Sequence, residues 1–234
     1  MTNSSGIEIL EDFIGLFFPA YCLACEGALV KGEEIICTEC LLEIPKTHYH
    51  LDHANPFYQK LEGRIPVKYV MAFLKFRKKG RVQHLLHSLK YKNHPEVGVM
   101  LGKLYANDLL KADYGNKFDL IVPVPIHTSR KRKRGYNQST EFGKGLSEIF
   151  KIPCDDLIIE RRVKTETQTR KTRLKRWENV SEVFKVVQPE KIQSKRILLV
   201  DDVITTGATL EACGRSLLDA GCSDISLACI AAAQ

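Results

Sequence analysis

The sequence predicts an α/β protein built on an open parallel sheet. Continuous apolar runs at 118–124, 197–200 and 225–230 have the composition of strands that are buried on both faces. Helical patterns separate these runs, over 137–150 and 208–220. Because strands and helices alternate along this part of the chain, we expect parallel strands covered by helices.

The remaining elements follow from local patterns. An amphipathic spacing that stops before Pro19 predicts a first helix at 7–18. Four further elements are predicted: a strand over 67–76, helices over 81–92 and 96–112, and a short strand over 157–159. Residues 163–180 are polar, basic and poor in large apolar side chains, which predicts a loop. Gly221 stands where a left-handed helix cap is expected.

The length and composition indicate one full-sized domain with a small additional module. The chain has 234 residues, and we expect the module at 1–62 and the larger domain at 63–234. Hydrophobic residues make up 44% and charged residues 27%, as in ordinary globular proteins. The sequence contains no apolar run of bilayer length, and its start lacks the basic residues of a secretory signal. We therefore expect a cytoplasmic protein without membrane insertion.

The net charge of +7 is concentrated in clusters. Residues 60–92 contain ten lysines and arginines against one acidic residue, and residues 130–134 are five consecutive bases. Such clusters suit an anionic partner, either nucleic acid or a polyphosphate, and they also fit solvated faces balanced by acids elsewhere. The candidate nucleic-acid residues are Lys78, Lys79, Arg81, Lys90, Tyr91 and Lys92.

Four cysteines form two C-x-x-C pairs separated by eleven residues: Cys22, Cys25, Cys37 and Cys40. Two such pairs can complete a tetrahedral four-sulfur site, which suits a structural Zn²⁺ ion. Reduced or redox-active thiols and an iron–sulfur cluster are the alternatives. His48, His50 and His53 lie close in sequence, but four thiolates already complete the site, so we interpret these histidines as surface residues.

The most informative motif follows the apolar run at 197–200. Two adjacent carboxylates, Asp201 and Asp202, stand at the end of this predicted strand, where ligands bind in open α/β sheets. A turn then leads into a helix, and it contains Gly207 and three threonines: Thr205, Thr206 and Thr209. Hydroxyl groups and the N-terminus of a helix bind phosphate, whereas carboxylates accept hydrogen bonds from hydroxyls. The motif therefore predicts a ligand that carries both a phosphate and a ribose diol.

This segment resembles the signature of type I phosphoribosyltransferases, which bind 5-phosphoribosyl-1-pyrophosphate (PRPP). The resemblance implies that Asp201 and Asp202 hold the ribose hydroxyls, and that Mg²⁺ accompanies the pyrophosphate of the substrate. The residues that it assigns to PRPP binding are Pro125, Val203, Ile204, Thr205, Thr206, Gly207, Ala208 and Thr209.

Three further stretches, at 122–138, 167–184 and 89–92, resemble the ComF family. This resemblance implies a pyrophosphate loop in the first stretch, a loop that closes over PRPP in the second, and a zinc ribbon at the cysteines. Arg134 and Arg176 then become candidate catalytic residues beside the two aspartates, because bases and Mg²⁺ would stabilise the leaving pyrophosphate. Arg170 and Arg173 are further candidates for the same role.

Three functions remain open at this point. The protein is a PRPP-dependent transferase, a non-catalytic accessory protein that keeps the PRPP fold and binds single-stranded DNA, or an RNA-binding regulator that senses PRPP. The ComF family is associated with natural competence, which implies single-stranded DNA and a competence helicase or other DNA-processing proteins as partners. No stretch of the sequence indicates a pocket for a particular acceptor.

Overall fold

The computed structural model describes residues 19–162 and 183–233. The predicted helix at 7–18 and the predicted loop at 163–180, which includes Arg176, lie outside the described residues. Among the described residues, no helix is long and apolar enough to cross a bilayer.

The described elements are numbered here in chain order. The helices are α1 (Thr38–Glu43), α2 (Pro56–Leu61), α3 (Arg81–Tyr91), α4 (Glu96–Lys111), α5 (Thr128–Arg134), α6 (Gln138–Phe150) and α7 (Ala208–Asp219). The strands are β1 (Val70–Phe76), β2 (Leu120–Pro123), β3 (Ile159–Arg161), β4 (Phe184–Val186), β5 (Arg196–Ile204) and β6 (Asp224–Ala233). Short 3₁₀ turns lie at Tyr49–Leu51 and Pro189–Lys191.

The main sheet has the order β1-β6-β5-β2, and every neighbouring pair is parallel. The predicted open parallel α/β sheet is therefore confirmed. β2 and β5 are adjacent, with Pro123 opposite Val200. Because β2 ends opposite Val200, just before Asp201, the segment that follows β2 lies beside the last residues of β5, at the edge of the sheet where ligands bind in folds of this kind.

A second, two-stranded antiparallel sheet is formed by β3 and β4. The sequence predicted a strand at 157–159, whereas β3 begins at Ile159. The reason is a local turn, in which Leu157 is exposed and its N–H donates to Asp155 Oδ1 at 2.9 Å. β4 was not predicted, because its short sequence carries no pattern that distinguishes it from the loop before it.

Helices cover both faces of the main sheet. α4 and α6 pack against each other on one face at unusually close range, because Gly102 and Gly145 lie where the two backbones meet. A Cβ atom at Gly102 would lie 2.3 Å from the carbonyl oxygen of Phe142. α7 covers the other face, with Leu210, Cys213 and Leu217 fully buried, and lies beside β4.

The cysteine module packs on the edge of the sheet. Residues 45–47 run antiparallel to β1, with Lys46 opposite Leu74, and the N–H of Lys75 donates to the Pro45 carbonyl at 2.8 Å. Ile36 and Ile44 belong to the same buried cluster as the apolar residues of β1 and α3. The module and the following domain thus share a hydrophobic core, while the boundary at residue 62 stays a prediction.

The interpretation of the three histidines near the cysteines as surface residues is wrong for one of them, His50. His48 and His53 are exposed, as expected, but His50 is 6% exposed. The turn at Tyr49–Leu51 places its ring edge-on to Tyr105, and its carbonyl accepts from the Tyr114 hydroxyl at 2.8 Å. Burial of the ring accordingly lowers the pKa of His50. His50 is therefore a core residue of the junction between module and sheet.

Candidate active site and metal centre

The two aspartates lie near the carboxyl end of β5, and each is held by a different element. Ser139, in the first turn of α6, donates its hydroxyl to Asp201 Oδ1 at 3.0 Å. The N–H of Asp202 donates to the same oxygen at 2.8 Å. On the other side, the Nζ atom of Lys90 in α3 lies 2.7 Å from Asp202 Oδ2. The acidic pair is thus positioned by α3, β5 and α6 together.

The electrostatics of the acidic pair follow from this crowding. Burial, together with the charge of Asp202, raises the pKa of Asp201 to about 7. Two adjacent carboxylates in a shielded site resist full ionisation, because each negative charge disfavours the other. A ligand that donates hydroxyl hydrogens to the pair would favour the ionised form, since a hydrogen bond to a charged acceptor stabilises the charge.

Residues 203–209, here called the phosphate turn, have the chemical features of an anion-binding turn. Thr205 and Thr206 are exposed, and Gly207 adopts a left-handed conformation with φ of 77° just before α7 begins. The start of α7 carries the partial positive charge of a helix N-terminus, which favours an anion. Thr209 is exposed in the first turn of α7, so its hydroxyl is accessible at the same end.

Residues before β1 support this turn from the side. Arg64 donates to the carbonyl of Thr206 at 3.2 Å, and it forms an ion pair with Glu211 in α7. Arg215 donates to the carbonyl of Arg64. These contacts tie the segment around Arg64 to the first two turns of α7 and so hold the phosphate turn in place.

The segment after β2 completes the other wall of the site. The side-chain amide of Asn137 caps α6 and donates to the Val124 carbonyl at 3.0 Å, just before the partly buried Pro125. Arg134 donates to Gln138 Oε1 at 2.8 Å, and Gln138 is fully buried. Part of the predicted pyrophosphate loop is helical, since the five bases at 130–134 lie in α5. α5 buries none of its side chains, which leaves these bases on the surface.

The candidate nucleic-acid residues separate into two groups. Lys78 and Lys79 are exposed in the turn before α3, and Lys92 is exposed just after that helix. Tyr91 is 63% exposed, with the guanidinium of Arg134 lying 5.2 Å from its ring centre. These four residues are accessible to a partner.

The other two candidates are engaged within the protein. Arg81 forms ion pairs with Glu39 at 3.0 Å and with Glu43 at 2.6 Å, and so fastens α1 of the cysteine module to α3. Lys90 is paired with Asp202. Their positions therefore indicate roles in holding the module and in the acidic site.

The four cysteines of the module converge on one point. Their sulfur atoms all lie within 4.8 Å of one another, and the Sγ atoms of Cys25 and Cys37 are 3.8 Å apart. Cys37 donates its N–H to Cys22 Sγ at 3.3 Å, and Cys40 donates its N–H to Cys37 Sγ at 3.4 Å. This arrangement can hold a metal ion in a four-sulfur site.

The thiol chemistry agrees with that arrangement. Although burial opposes ionisation, hydrogen bonds from the backbone of Cys25, Cys37 and Ala24 lower the pKa of Cys22 to about 7. Burial and the neighbouring sulfur atoms raise the pKa of Cys40. The backbone N–H groups thus stabilise a first thiolate, while four thiolates together require a cation among them.

A groove of about 440 Å³ separates the cysteine module from α3. Its lining includes Tyr21 and Glu26 from the module, and His84, His87 and Lys92 from α3 or just after it. His84 Nδ1 lies 3.0 Å from the Ala24 carbonyl, which joins the two walls. The groove therefore lies along α3, the helix that carries Lys90.

The family match covers the part of the chain that forms this site. The phosphoribosyl transferase domain family matches residues 88–234, which is more than half of the chain. The chain belongs to this family. The matched residues include Lys90, both aspartates and the turn at Gly207.

The similar proteins confirm the ComF resemblance. The DNA utilization protein YhgH of Escherichia coli K12 is 27% identical over 212 residues, which cover 89% of this chain and 88% of that protein. Competence protein F of Haemophilus influenzae is 28% identical over 221 residues, 90% of this chain and 96% of that protein. Competence protein ComFC of Bacillus subtilis is 32% identical over 108 residues, 46% of this chain and 42% of that protein.

Sequence reasoning missed two features of this candidate site. Ser139 was not selected, although the start of a helix after a buried strand is a position from which a hydroxyl can reach the edge of the sheet. Lys90 was assigned to the basic cluster, because its partner is more than a hundred positions away in sequence. A contact of this kind depends on the packing of α3 against the sheet and leaves no local pattern.

Proposed function

We propose that this protein binds PRPP and transfers its phosphoribosyl group to an acceptor. The proposal is supported by two features that lie together at the end of β5: an acidic pair, and a turn with exposed threonines that leads into α7. Phosphate alone does not call for two carboxylates, whereas a ribose 5-phosphate needs acceptors for its diol and donors for its phosphate.

Each residue then has a specific task in the proposed reaction. Asp201 and Asp202 accept hydrogen bonds from the ribose hydroxyls, and the turn from Val203 to Thr209 receives the 5-phosphate at the N-terminus of α7. Arg134 and Pro125 lie on the β2 side, where the pyrophosphate on C1 would extend. Arg134 would stabilise its charge as the bond to C1 breaks and the acceptor takes its place.

Two metal ions fit the residues of this chain in different ways. The carboxylates of Asp201 and Asp202 are hard oxygen donors, and they suit Mg²⁺ carried in by the substrate, most of whose ligands would be phosphate oxygens and water. Bound Mg²⁺ would neutralise the pyrophosphate as it leaves. The four cysteines suit Zn²⁺, which we assign a structural role because four thiolates leave no open position for substrate.

Titration calorimetry with PRPP and Mg²⁺ tests the proposed binding. Replacing Asp201 and Asp202 together with Asn should weaken binding strongly, since each charge-assisted hydrogen bond contributes about 1.5–3 kcal/mol. Asp219→Asn, at the far end of α7, is the matched control and should bind like the wild type. Equal PRPP affinity in the wild type and the double variant would refute the site assignment. Pyrophosphate release, measured across candidate acceptors, then tests transfer.

A second function, binding of single-stranded DNA during its uptake or processing, is supported by a separate observation. Lys78, Lys79, Tyr91 and the first four bases of α5, residues 130–133, are exposed, so the surface beside the site carries positive charge and an accessible ring. The names of the similar proteins refer to competence and DNA utilization. We therefore propose a role in competence, in the cytoplasm, with DNA-processing proteins such as a helicase as partners.

A further inference from the structure

Lys90 occupies a position that a bound ribose would need. Its Nζ atom lies 2.7 Å from Asp202 Oδ2, and the two side chains are 22% and 21% exposed. An ammonium this close takes up one acceptor position of the carboxylate and balances its charge. A ribose hydroxyl that donates to Asp202 Oδ2 therefore competes with the ammonium of Lys90 for that oxygen.

The neighbours of Lys90 limit how it can move. Leu89 is fully buried, and its carbonyl accepts from the Tyr136 hydroxyl at 2.6 Å. Tyr91 lies beneath the guanidinium of Arg134. Both contacts tie the end of α3 to the segment that follows β2. The backbone at Lys90 is thus held beside the segment that carries Arg134, while its flexible side chain can move between the acidic pair and that side of the site.

We propose that Lys90 transfers its ammonium from Asp202 to the C1 pyrophosphate when PRPP binds, and thereby makes the site prefer PRPP over ribose 5-phosphate. The inference rests on the proposed PRPP-binding function. PRPP replaces the lost carboxylate partner with a pyrophosphate oxygen, so the ammonium keeps an anionic partner. Ribose 5-phosphate carries the same diol and 5-phosphate, so it competes with the ammonium for Asp202, but it offers no anionic replacement at C1. Lys90 therefore favours one ligand and opposes the other.

The same exchange assists turnover. Once pyrophosphate has left, the ammonium has lost its second partner and returns to Asp202. There it competes with the ribose hydroxyls of the product for the carboxylate oxygens. The residue that favours entry of PRPP thus also favours release of a ribosyl product that lacks pyrophosphate.

Calorimetric titration with PRPP and with ribose 5-phosphate, both with Mg²⁺, tests this selectivity. In Lys90→Gln we expect PRPP affinity to fall about tenfold or more, as for the loss of one charge-assisted hydrogen bond. Affinity for ribose 5-phosphate should stay the same or rise, so the preference for PRPP shrinks. Lys90→Arg keeps the cation and should retain most of the preference. Lys103→Gln, which breaks an ion pair with Glu148 on the surface, should change neither affinity.

The outcomes separate this inference from the function on which it rests. If the wild type binds neither ligand, the proposed function is wrong and the inference falls with it. If the wild type binds PRPP and Lys90→Gln keeps the same preference, only the inference is overturned. If Lys90→Gln loses affinity for both ligands equally, Lys90 has a structural role. If it gains affinity for both equally, Lys90 only blocks the site. Both results contradict a transfer of the ammonium to pyrophosphate.

Discussion

Leu61 packs directly against Gly207, so the last residue of α2 forms the floor of the phosphate turn. A Cβ atom at Gly207 would lie 2.8 Å from Leu61 Cδ2, and the backbone there has φ of 77°. Both the left-handed conformation and the lack of a side chain are therefore required at this position. Through this contact the N-terminal part of the chain shapes the site that the sequence motif supplies.

The first prediction concerns this contact. Gly207→Ala should lower stability by about 1–2 kcal/mol from the left-handed backbone alone, and further through the clash with Leu61. It should also weaken PRPP binding, because the turn must shift. Adding Leu61→Ala should recover the part due to the clash but not the backbone cost, which a double-mutant cycle of urea unfolding would separate.

Gly32 provides the control for the backbone term. Its φ is 92°, and a Cβ atom there would meet nothing within 4 Å. Gly32→Ala should therefore show only the conformational cost and leave PRPP affinity unchanged. If Leu61→Ala recovers nothing in the Gly207→Ala background, the two residues do not support each other as described.

The second prediction concerns pH. The pKa of Asp201 is raised to about 7 in the folded protein by burial and the charge of Asp202, whereas an unfolded Asp titrates near 4. Between these values the folded state binds more protons, so the contribution of Asp201 to stability is fully present below about pH 4 and is lost as pH rises through 7. The slope for this group is at most about 1.4 kcal/mol per pH unit. Asp201→Asn should remove that part of the dependence in urea unfolding measured from pH 4 to 8.

Asp119 is the matched control for this pH dependence. Its ion pair and hydrogen bonds with Arg196 lower the pKa of Asp119 to about 2. The pKa shift of Asp119 is opposite in sign to that of Asp201. The stability that Asp119 contributes is present above about pH 4 and is lost only as pH falls toward 2. Asp119→Asn should thus lower stability by a constant amount between pH 5 and 8. A parallel pH profile for wild type and Asp201→Asn would contradict the raised pKa.

The third prediction concerns the metal centre. The purified protein should contain one Zn²⁺ per chain, and Cys37→Ser should lose it. Structural zinc contributes about 10–16 kcal/mol in small peptides. Because Ile36 and Ile44 lie in the core that the module shares with β1, we expect a lower melting temperature for the whole protein. Cys222→Ser, a buried cysteine outside the module, should keep its zinc. Metal analysis that finds full zinc in Cys37→Ser would refute the four-sulfur site.

The comparison of sequence and structure shows which kinds of information are local. β5, the aspartates and the start of α7 were predicted, because strand pattern, turn chemistry and helix start all lie within thirteen consecutive residues. The burial of His50 and the pairing of Lys90 with Asp202 were not. Both depend on which surfaces meet when helices pack on the sheet, and the sequence near each residue is compatible with an exposed side chain.

Two aromatic residues, Phe73 and Tyr91, show which features the sequence can and cannot predict. The apolar run of β1 favours a core position for Phe73 more than the basic pattern of α3 does for Tyr91, and their exposures agree with this difference. Phe73 is 1% exposed and stacks on Tyr105, whereas Tyr91 is 63% exposed. Phe73 lies in a continuous apolar run, and the first five residues of β1 are all buried, whereas a tyrosine in the last turn of a helix has no such constraint. The burial difference could therefore be predicted, but the contact of Tyr91 with Arg134 could not.

The last prediction concerns single-stranded DNA. We expect binding that is dominated by phosphate contacts and therefore weakens with salt. The slope of log binding constant against log salt concentration should become more negative by about 0.7 for each phosphate neutralised. Lys78 and Lys79 are exposed in one turn, so Lys78→Glu with Lys79→Glu should flatten the slope by about 1.4. Arg81 is left unchanged, because its reversal would break the ion pairs with Glu39 and Glu43 and disturb the cysteine module.

Fluorescence anisotropy with a labelled oligonucleotide at several salt concentrations measures this slope. Lys111→Glu with Lys117→Glu makes the same change in net charge at the opposite edge of the sheet, before β2 begins. This control should keep nearly the full slope, because its lysines lie far from the proposed surface. Asp201→Asn should also keep the slope, since it changes the proposed PRPP site and not the proposed DNA-binding surface. If both double variants flatten the slope equally, binding follows net charge and not this surface, and the proposed DNA site at Lys78 and Lys79 is wrong.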